Sequence, residues 1–382
     1  MRERLSGTEL VALVQRVFQP QAGESALAIL VDLPDARVPD EPSWAERRAI
    51  AADWVGELLA HRSELGLETH LVMYPNVHTN NGELPDRAWL HAGGPLPSVE
   101  DLDPKASISF AELYATHPIL IAITKFSATA PLKLAAKKHP IRAATMPGFR
   151  AEMIPALRLD YTEVNRRVNL LKDLLDRAEG ADFRFSTPDG PCELYVDLRH
   201  RTGHASGGLL PTPGVAGNLP SGEAYIVPYE GERQGDPSCT AGIMPVQFGT
   251  EIVRYRIEQN KAVEVVSEGP TSRVEASLLA KEPAYGNLAE LGLGVLSAFG
   301  VKPIGEILLD EKLGLHLAFG RSDHFGGQVG PTDFSSPEAV IHIDRVYVPD
   351  TQPDVKIVSV DLAMTDGINV ALMRDGEYVV TF

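Results

Sequence analysis

The pattern of apolar residues changes near residue 185, and this change restricts the folds open to the chain. In the first half, apolar runs of strand length, such as residues 26–33, alternate with helix-like segments such as 44–65. That alternation is typical of βαβ units around a mainly parallel sheet. Beyond residue 185, short alternating runs are separated by Gly, Pro, Asn and Asp, which predicts antiparallel strands. We therefore predict an α/β N-terminal domain with a mainly parallel sheet at residues 1–185 and a β-rich α+β C-terminal domain at 186–382.

The spacing of apolar residues predicts individual elements within this plan. Helices are expected at residues 8–18, 44–65, near 110, after 131 and at 161–178, and parallel strands at 26–33, 69–74, 119–124 and 141–146. In the second half we predict a hairpin at 250–267 and further strands at 355–382. Residues 203–222 form a long Gly/Pro-rich stretch, and long loops of this kind inside compact domains are often functional.

The acidic composition excludes two classes of partner. The 52 acidic residues exceed the 35 basic ones, and the net charge of −17 would repel a phosphate backbone or an anionic membrane surface. No run approaches ~18 uninterrupted apolar residues, and no apolar segment follows the charges at the N-terminus. We therefore expect a cytoplasmic protein whose partners are small molecules or peptides rather than nucleic acid or membrane.

Cysteine usage limits the chemistry of any metal site. The chain has two cysteines, Cys192 and Cys239, which excludes a disulfide framework and a thiolate zinc cluster. A bound metal must therefore be held by nitrogen and oxygen atoms.

Two histidines lie in strand-like segments of the C-terminal half. In the segment 341–346, His342 and Asp344 are two residues apart, so on a strand they point the same way, about 7 Å apart, and can converge on one cation. His316 interrupts the apolar second strand of a predicted strand-turn-strand at 306–320. Taken singly, the His-x-Asp pair also fits a solvated surface strand, and His316 a hydrogen-bonded core histidine.

Two acidic residues and one polar loop complete the candidate site. Glu223 begins a strand after a Gly-rich loop, and Glu290 lies inside an apolar run with small residues, where its burial requires a cation or a hydrogen-bond network. Arg321 and His324 lie in a polar loop before a Gly-Gly pair that can approach a ligand. An exposed turn is the alternative for this loop. His200 and His204 either line the pocket or belong to an exposed polar loop.

The order and wording of four motifs resemble the M29-type aminopeptidases, the family of aminopeptidase T. The motifs are N-L-P-S-G-E at 218–223, A-E-L-G-L-G at 289–294, D-E-K-L-G-L-H-L-A-F-G at 310–320 and I-H-I-D at 341–344. The resemblance implies a homodimeric two-metal aminopeptidase or related amide hydrolase, with zinc, cobalt or manganese activating a water molecule. The ligands that it implies are Glu223, Glu290, Glu311, His316, His342 and Asp344, with Glu223 also the candidate general base.

The chain departs from this family just after His316. The resemblance implies a tyrosine there that stabilises the oxyanion, whereas this chain has Arg321-Ser322-Asp323-His324. Either His324 or Arg321 takes over that role, or the chain does not cleave peptides.

A second resemblance gives the alternative function. The 2,5-dihydroxypyridine dioxygenases share this fold and resemble the chain around its histidines, which implies one Fe(II) held by His316, His342 and Asp344. The three further acids favour two metals, and the missing tyrosine favours the dioxygenase. A non-enzymatic binding module with a structural cation is the third possibility.

Overall fold

The computed structural model describes residues 3–382, which divide into two compact units. The first unit runs to Val164 and includes Gly208–Ser221, and the second comprises Asn165–Gly207 and Gly222–Phe382. The expected domain limit between residues 185 and 186 lies inside a strand of the second unit. The fold class is confirmed, because an α/β unit is accompanied by a β-rich one.

The first unit contains one mixed sheet and its helices. Its strands are β1 (Ala26–Leu33), β2 (Glu68–Pro75), β3 (Arg87–Leu90), β4 (Ser107–Ser109), β5 (Ile119–Ala122), β6 (Arg142–Thr145) and β10 (Val215–Asn218). Its helices are α1 (Gly7–Phe18), α2 (Pro42–Ala60), α3 (Arg62–Leu65), α4 (Phe110–Thr116), α5 (Thr129–Ala136) and α6 (Ile154–Leu157), and α7 (Tyr161–Leu175) leads out of it.

The strand order of this sheet is β10-β6-β5-β1-β2-β3-β4. All pairs from β10 to β2 are parallel, whereas β3 and β4 add antiparallel strands at one edge. All eight residues of β1 are buried, as its continuous apolar run predicts for a central parallel strand. Strand β10 comes from the Gly/Pro-rich stretch and pairs with β6, an arrangement that sequence periodicity did not indicate.

The second unit is built from two antiparallel sheets. Its further elements are β7 (Ala178–Thr187), β8 (Gly190–Asp197), β9 (His204–Ser206), β11 (Glu223–Ile226), β12 (Ala241–Phe248), β13 (Glu251–Glu258), β14 (Lys261–Val265), α8 (Pro270–Lys281), β15 (Leu288–Gly294), α9 (Ile307–Asp310), β16 (Leu315–Gly320), β17 (His342–Val346), β18 (Lys356–Met364), β19 (Asn369–Arg374) and β20 (Glu377–Tyr378). The larger sheet has the order β14-β13-β12-β8-β7-β18-β19-β20, and the smaller, five-stranded one has the order β17-β16-β15-β11-β9.

One predicted element of this unit is wrong. The apolar residues before Gly314 form the short helix α9 rather than a strand. Asp310 at the end of α9 accepts hydrogen bonds from the backbone N–H groups of Ile304 and Gly305, both at 2.9 Å. These bonds close a tight turn around the segment, so its apolar residues pack as one helical turn.

No helix within residues 3–382 combines the length and apolar character that crossing a membrane requires.

A buried aspartate ties the end of β1 to its neighbours in the first unit. Asp32 is 1% exposed and accepts hydrogen bonds from Trp44 Nε1 at 2.9 Å and from the backbone N–H groups of Lys125 and Phe126 at 2.8 and 2.9 Å. Burial raises the pKa of Asp32, while these donors oppose that rise. The carboxylate therefore satisfies three donors that have little access to water.

We predict that Asp32→Ala lowers the free energy of unfolding by about 2–4 kcal/mol, because it leaves buried donors without an acceptor. Urea unfolding followed by circular dichroism measures the change. The matched control is Asp53→Ala on the exposed side of α2, which should change stability by less than about 0.5 kcal/mol. Equal effects of the two substitutions would contradict the structural role of Asp32.

Candidate metal centre

One face of the five-stranded sheet collects the polar side chains of its strands. Paired residues of antiparallel strands share a face, and alternate residues along each strand return to it. One row across the strands consists of Asp344, Ala318 and Glu290, each paired with the next. The neighbouring row consists of His316, Gly292 and Tyr225, again each paired with the next. The same face also carries Glu223, Gly294, Gly320 and His342, together with Val346, His204 and Ser206.

The opposite face of the same sheet is apolar. It carries Leu315, Leu317 and Phe319 from β16, all fully buried. The Phe319 ring meets the Tyr255 ring of β13 edge to face, with 5.1 Å between centroids, so this face packs on the larger sheet. The strict alternation in L-H-L-A-F-G therefore fixes His316 on the polar face.

Small residues on the polar face make room for the functional side chains. A Cβ atom on Gly292 would lie 1.9 Å from His316 Nε2 and 2.1 Å from its Cε1, so the imidazole occupies the space of the missing side chain. The backbone of Gly292 does not have a positive φ, so this close approach, not backbone conformation, requires glycine.

The side chains on this face form two groups that could each hold a metal ion. Glu223, Glu290 and His316 form the first group, and Glu290, His342 and Asp344 form the second, with ligand atoms within 4.8 Å of one another in each group. Glu290 belongs to both groups. Its Oε1 lies 3.4 Å from His316 Nε2, and its Oε2 lies 3.2 Å from His342 Nε2. The two oxygens of one carboxylate thus face two different histidines.

Backbone carbonyls orient both imidazole rings. His342 Nδ1 lies 2.8 Å from the carbonyl oxygen of Arg321, and His316 Nδ1 lies 3.3 Å from that of Gly314. A histidine that donates from Nδ1 presents its Nε2 lone pair, the arrangement common among metal-binding histidines. Both Nε2 atoms point toward Glu290.

Lys312 is a component of the site that the sequence did not indicate. Its side chain is 1% exposed, and Nζ donates to Glu223 Oε1 at 2.5 Å and to Glu311 Oε1. Glu311 therefore lies beside the cluster but outside both donor groups. The available signal was a lysine directly beside a candidate acidic ligand, in a short charged segment between two apolar runs.

Acidic side chains outnumber lysine in the site. Four carboxyl groups, from Glu223, Glu290, Glu311 and Asp344, share it with the ammonium of Lys312, which contacts Glu223 and Glu311. Burial raises the pKa of Glu311 to about 8, and repulsion from Glu223 and Asp344 adds to this rise. Burial would lower the pKa of the Lys312 ammonium, but Glu223 and Glu311 raise it above its ordinary value.

The histidines respond to the same charges. Burial would lower the pKa of His316, but Glu290, Glu223 and Asp344 raise it to about 9. Asp344 and Glu290 likewise outweigh burial and raise the pKa of His342 well above its ordinary value. In the metal-free protein both rings hold protons at neutral pH and partly balance the carboxylates.

The residues present fit divalent cations. Glu223 Oε2 and Asp344 Oδ1 are buried and accept no hydrogen bond from any residue between 3 and 382. Each lies 3.5 Å from a histidine Nε2, those of His316 and His342 respectively, too far for a hydrogen bond of good geometry. Buried carboxylate oxygens without donors are costly unless a cation satisfies them, and oxygen with imidazole nitrogen suits zinc, cobalt, manganese or iron.

The loop after β16 brings His324 to the site and directs the Arg321 side chain elsewhere. The His324 ring lies 5.5 Å from the His342 ring, between centroids. Burial lowers the pKa of His324 to about 4, assisted by the charges of His342 and Arg321, so its imidazole is neutral at pH 7. The Arg321 guanidinium is paired with Asp323, with Nε 2.5 Å from Oδ1, and Arg321 serves the site through its carbonyl.

A carboxylate outside the donor groups holds this loop in place. Glu230 Oε1 accepts from Ser322 Oγ at 2.5 Å and from Asn287 Nδ2 at 2.8 Å, and its Oε2 accepts from the backbone N–H of Gln328 at 2.5 Å. Both ends of the turn that carries His324 are therefore fixed to one side chain.

The two histidines of the earlier loop have different environments. His204 lies on β9, pairs with Tyr225 and stacks on its ring at 5.1 Å between centroids. His200 lies beside Asp236, with Nε2 3.0 Å from its carboxylate, and packs on Tyr229. His204 thus lies on the polar face at its β9 edge, whereas His200 belongs to a separate ion-pair cluster.

Two surface clefts, of about 640 and 510 Å³, adjoin the larger sheet and α8 instead. The first is lined by residues that include Glu251, Arg254 and Glu268, and the second by the exposed side of α8 around Val274 and Leu278. Neither is lined by a member of the two donor groups. The chemistry therefore points to the polar sheet face rather than to these two clefts.

Comparison with solved structures identifies the class of fold, which is M29-like. The structure of 2,5-dihydroxypyridine dioxygenase from Pseudomonas putida KT2440 matches with a TM-score of 0.62 and 12% identity, covering 99% of this chain and 99% of that one. Wild-type AmpT from Thermus thermophilus, an M29 aminopeptidase, matches with a TM-score of 0.54 and 17% identity, covering 98% of this chain and 99% of that one. No protein-family model and no curated protein sequence matches. The resemblance inferred from the motifs is thus confirmed for the fold.

We predict that Gly292→Ala weakens metal binding at least tenfold, because the new methyl group displaces His316. Elemental analysis and calorimetric titration with Zn²⁺ measure the loss. The control is Gly56→Ala in α2, where an added Cβ meets nothing within 4 Å. That change should leave metal content unaltered and stabilise the helix by up to about 1 kcal/mol. Full metal affinity in Gly292→Ala would contradict the placement of His316.

Metal binding should also release protons. A cation needs the Nε2 lone pairs of His316 and His342, which are protonated at pH 7 because their pKa values are raised. Binding of Zn²⁺ should therefore release about one to two protons per chain at pH 7, and affinity should rise as pH increases toward 9. Calorimetry in two buffers of different ionisation enthalpy measures this release, and equal heats in both buffers would count against it.

Proposed function

We propose that the protein is a metal-dependent hydrolase that cleaves aminoacyl amide bonds, as an aminopeptidase or a related amide hydrolase. The observation that carries this proposal is the position of Glu290, whose two oxygens face His316 and His342. A carboxylate that belongs to both donor groups suits two neighbouring cations, as in two-metal hydrolytic sites. Zinc, cobalt or manganese would be held by Glu290, His316, His342 and Asp344.

The structural neighbours support an enzymatic role. One of them, AmpT, is an aminopeptidase, and the other is a dioxygenase. When bound, two divalent cations supply Lewis-acid polarisation of a substrate carbonyl and lower the pKa of a water molecule. The remaining work falls to the side chains around them, which must accept a proton, donate to the reacting oxygen and hold the substrate.

Glu223 is our candidate for the proton acceptor. Its Oε1 is held by Lys312, whereas its Oε2 accepts no hydrogen bond from residues 3–382 and lies 3.5 Å from His316 Nε2. The side chain is therefore anchored at one oxygen and free at the other. Glu311, also held by Lys312, stays a predicted ligand that must exchange its lysine partner for a cation.

His324 is our candidate for a hydrogen-bond donor to the substrate oxygen. Because the pKa of His324 is lowered to about 4, its neutral ring keeps one N–H to donate. A neutral imidazole in this position would donate a hydrogen bond to the substrate oxygen as that oxygen gains negative charge. The guanidinium of Arg321, which pairs with Asp323, is the second candidate and would first have to leave that partner.

The experiment that tests the proposed function is elemental analysis of anaerobically purified protein, followed by assays of the same preparation. We expect about two zinc, cobalt or manganese ions per chain and hydrolysis of aminoacyl p-nitroanilides. Glu290→Ala should reduce the ion content toward one. Unchanged ion content in Glu290→Ala would remove the observation on which the proposal depends.

A ring-cleaving dioxygenase with one Fe(II) is the second candidate. The position of Lys312 favours the dioxygenase. Its ammonium already holds Glu223 and Glu311, which leaves His316, His342 and Asp344 for a single ion. Two histidines and one carboxylate form the set that non-haem iron oxygenases use. About one iron per chain, with oxygen uptake in the presence of a hydroxylated pyridine, would replace the hydrolase proposal.

The role of Glu223 gives a separate prediction. If Glu223 accepts the proton, Glu223→Gln should keep both ions while kcat falls by about 10²–10⁴-fold. Steady-state kinetics and elemental analysis of the same sample measure both quantities. Glu377→Gln, an exposed change on β20, is the control. Loss of one ion from Glu223→Gln would make Glu223 a ligand and contradict its role as the base.

The wider predictions from the sequence accompany this proposal. We propose peptides or small amides as substrates, a homodimer as the assembled form and the cytoplasm as the location. The net charge of −17 supports the choice of small substrates over nucleic acid.

A further inference from the structure

Tyr225 lies on the polar face of the five-stranded sheet, two residues after Glu223 on β11. Its strand partners are His204 on one side and Gly292 on the other, and Gly292 is in turn paired with His316. Because Gly292 has no side chain, nothing from β15 separates the Tyr225 position from the His316 ring in this row. The phenol therefore borders the first donor group.

Two neighbours fix the Tyr225 ring. The His204 ring stacks on it with 5.1 Å between centroids and 24° between planes, and the Phe325 ring meets it edge to face at 5.0 Å. His204 Nε2 lies 3.1 Å from the carbonyl oxygen of Phe325, which ties the two neighbours together. The ring is thus held in position without any contribution from its hydroxyl.

The Tyr225 hydroxyl makes no hydrogen bond to any residue in the described part of the chain, 3–382. The Tyr225 side chain is only partly buried, so its hydroxyl is open to solvent or a ligand. Other tyrosines of the same unit use their hydroxyls within the protein: Tyr255 donates to Glu275, Tyr347 to the carbonyl of Pro245 and Tyr378 to that of Gly294. A fixed ring with a hydroxyl that has no protein partner, beside a cluster of chemically active groups, is suited to a ligand.

We propose that Tyr225 is a catalytic residue whose hydroxyl donates a hydrogen bond to the substrate oxygen that gains negative charge. This inference rests on the proposed amide hydrolysis and names a donor for it in addition to His324. The two donors come from different elements: Tyr225, on β11, lies next to the Glu223–His316 side of the site, and His324, in the loop after β16, lies next to the His342 side. Paired donors of this kind form the usual oxyanion-binding arrangement in acyl transfer.

The test compares Tyr225→Phe with the wild-type protein. Phenylalanine keeps the contacts with His204 and Phe325, so fold and ion content should be unchanged. We expect kcat for an aminoacyl p-nitroanilide to fall by about 10²-fold or more while KM changes little. Tyr114→Phe is the matched control, because this change also removes a hydroxyl but lies in the first unit, where the ring packs on Phe110 and His139.

Calorimetric binding of an α-aminophosphonate, a tetrahedral anion, supplies a measurement that is independent of turnover. Tyr225→Phe should bind this probe at least tenfold more weakly than wild type but bind the free amino acid equally well. A variant that hydrolyses the substrate and binds the phosphonate as wild type does would overturn the role of Tyr225 alone. Absence of hydrolysis by the wild-type protein with its ions bound would overturn the proposed function, and the inference with it.

Discussion

The concentration of carboxylates on one buried sheet face is the constraint on which the rest of the second unit depends. Burying an ionised carboxylate costs several kcal/mol unless opposite charge or hydrogen bonds compensate it. Here four carboxyl groups are compensated by the ammonium of Lys312, by two imidazoles whose pKa values are raised in response, and by the raised pKa of Glu311. Within residues 3–382, no donor satisfies one oxygen each of Glu223 and Asp344. A cation that replaces the protons of the two histidines would satisfy these oxygens, and this would give the site its affinity for metal.

The neighbouring structure holds this unfavourable arrangement in place. The apolar reverse face of the sheet, through Phe319 and Tyr255, keeps the strands in register, so the polar residues cannot turn away from one another. The carbonyls of Gly314 and Arg321 orient the two histidines, and Glu230 fixes the loop that carries His324. Cations would therefore enter a site whose ligands are already positioned, which reduces the entropy lost on binding.

Periodicity predicted the elements whose patterns were simple. The run of seven apolar residues and one aspartate in β1 and the alternation at His342–Val346 gave the correct strands, because burial on both faces and burial on one face leave distinct patterns. Residues 307–310 were assigned wrongly, since their three apolar residues are too few to show a period and the hydrogen bonds of Asp310 decide the turn. Lys312 and Tyr225 were missed as members of the site because their roles depend on cross-strand neighbours distant in sequence. The alternation that placed Glu223 also places Tyr225 on its face.

The order of the strands in the five-stranded sheet has a consequence for how the site forms. Between β11 and β15, neighbours in this sheet, the chain builds β12, β13, β14 and α8. Glu223 and Glu290 can therefore come together only after β12, β13, β14 and α8 have been synthesised. His342 lies on a still later strand, β17. Pairings so distant along the chain close late and slowly in folding. A cation present during synthesis would encounter no nucleating fragment of the site, so incorporation of metal would follow the acquisition of tertiary structure.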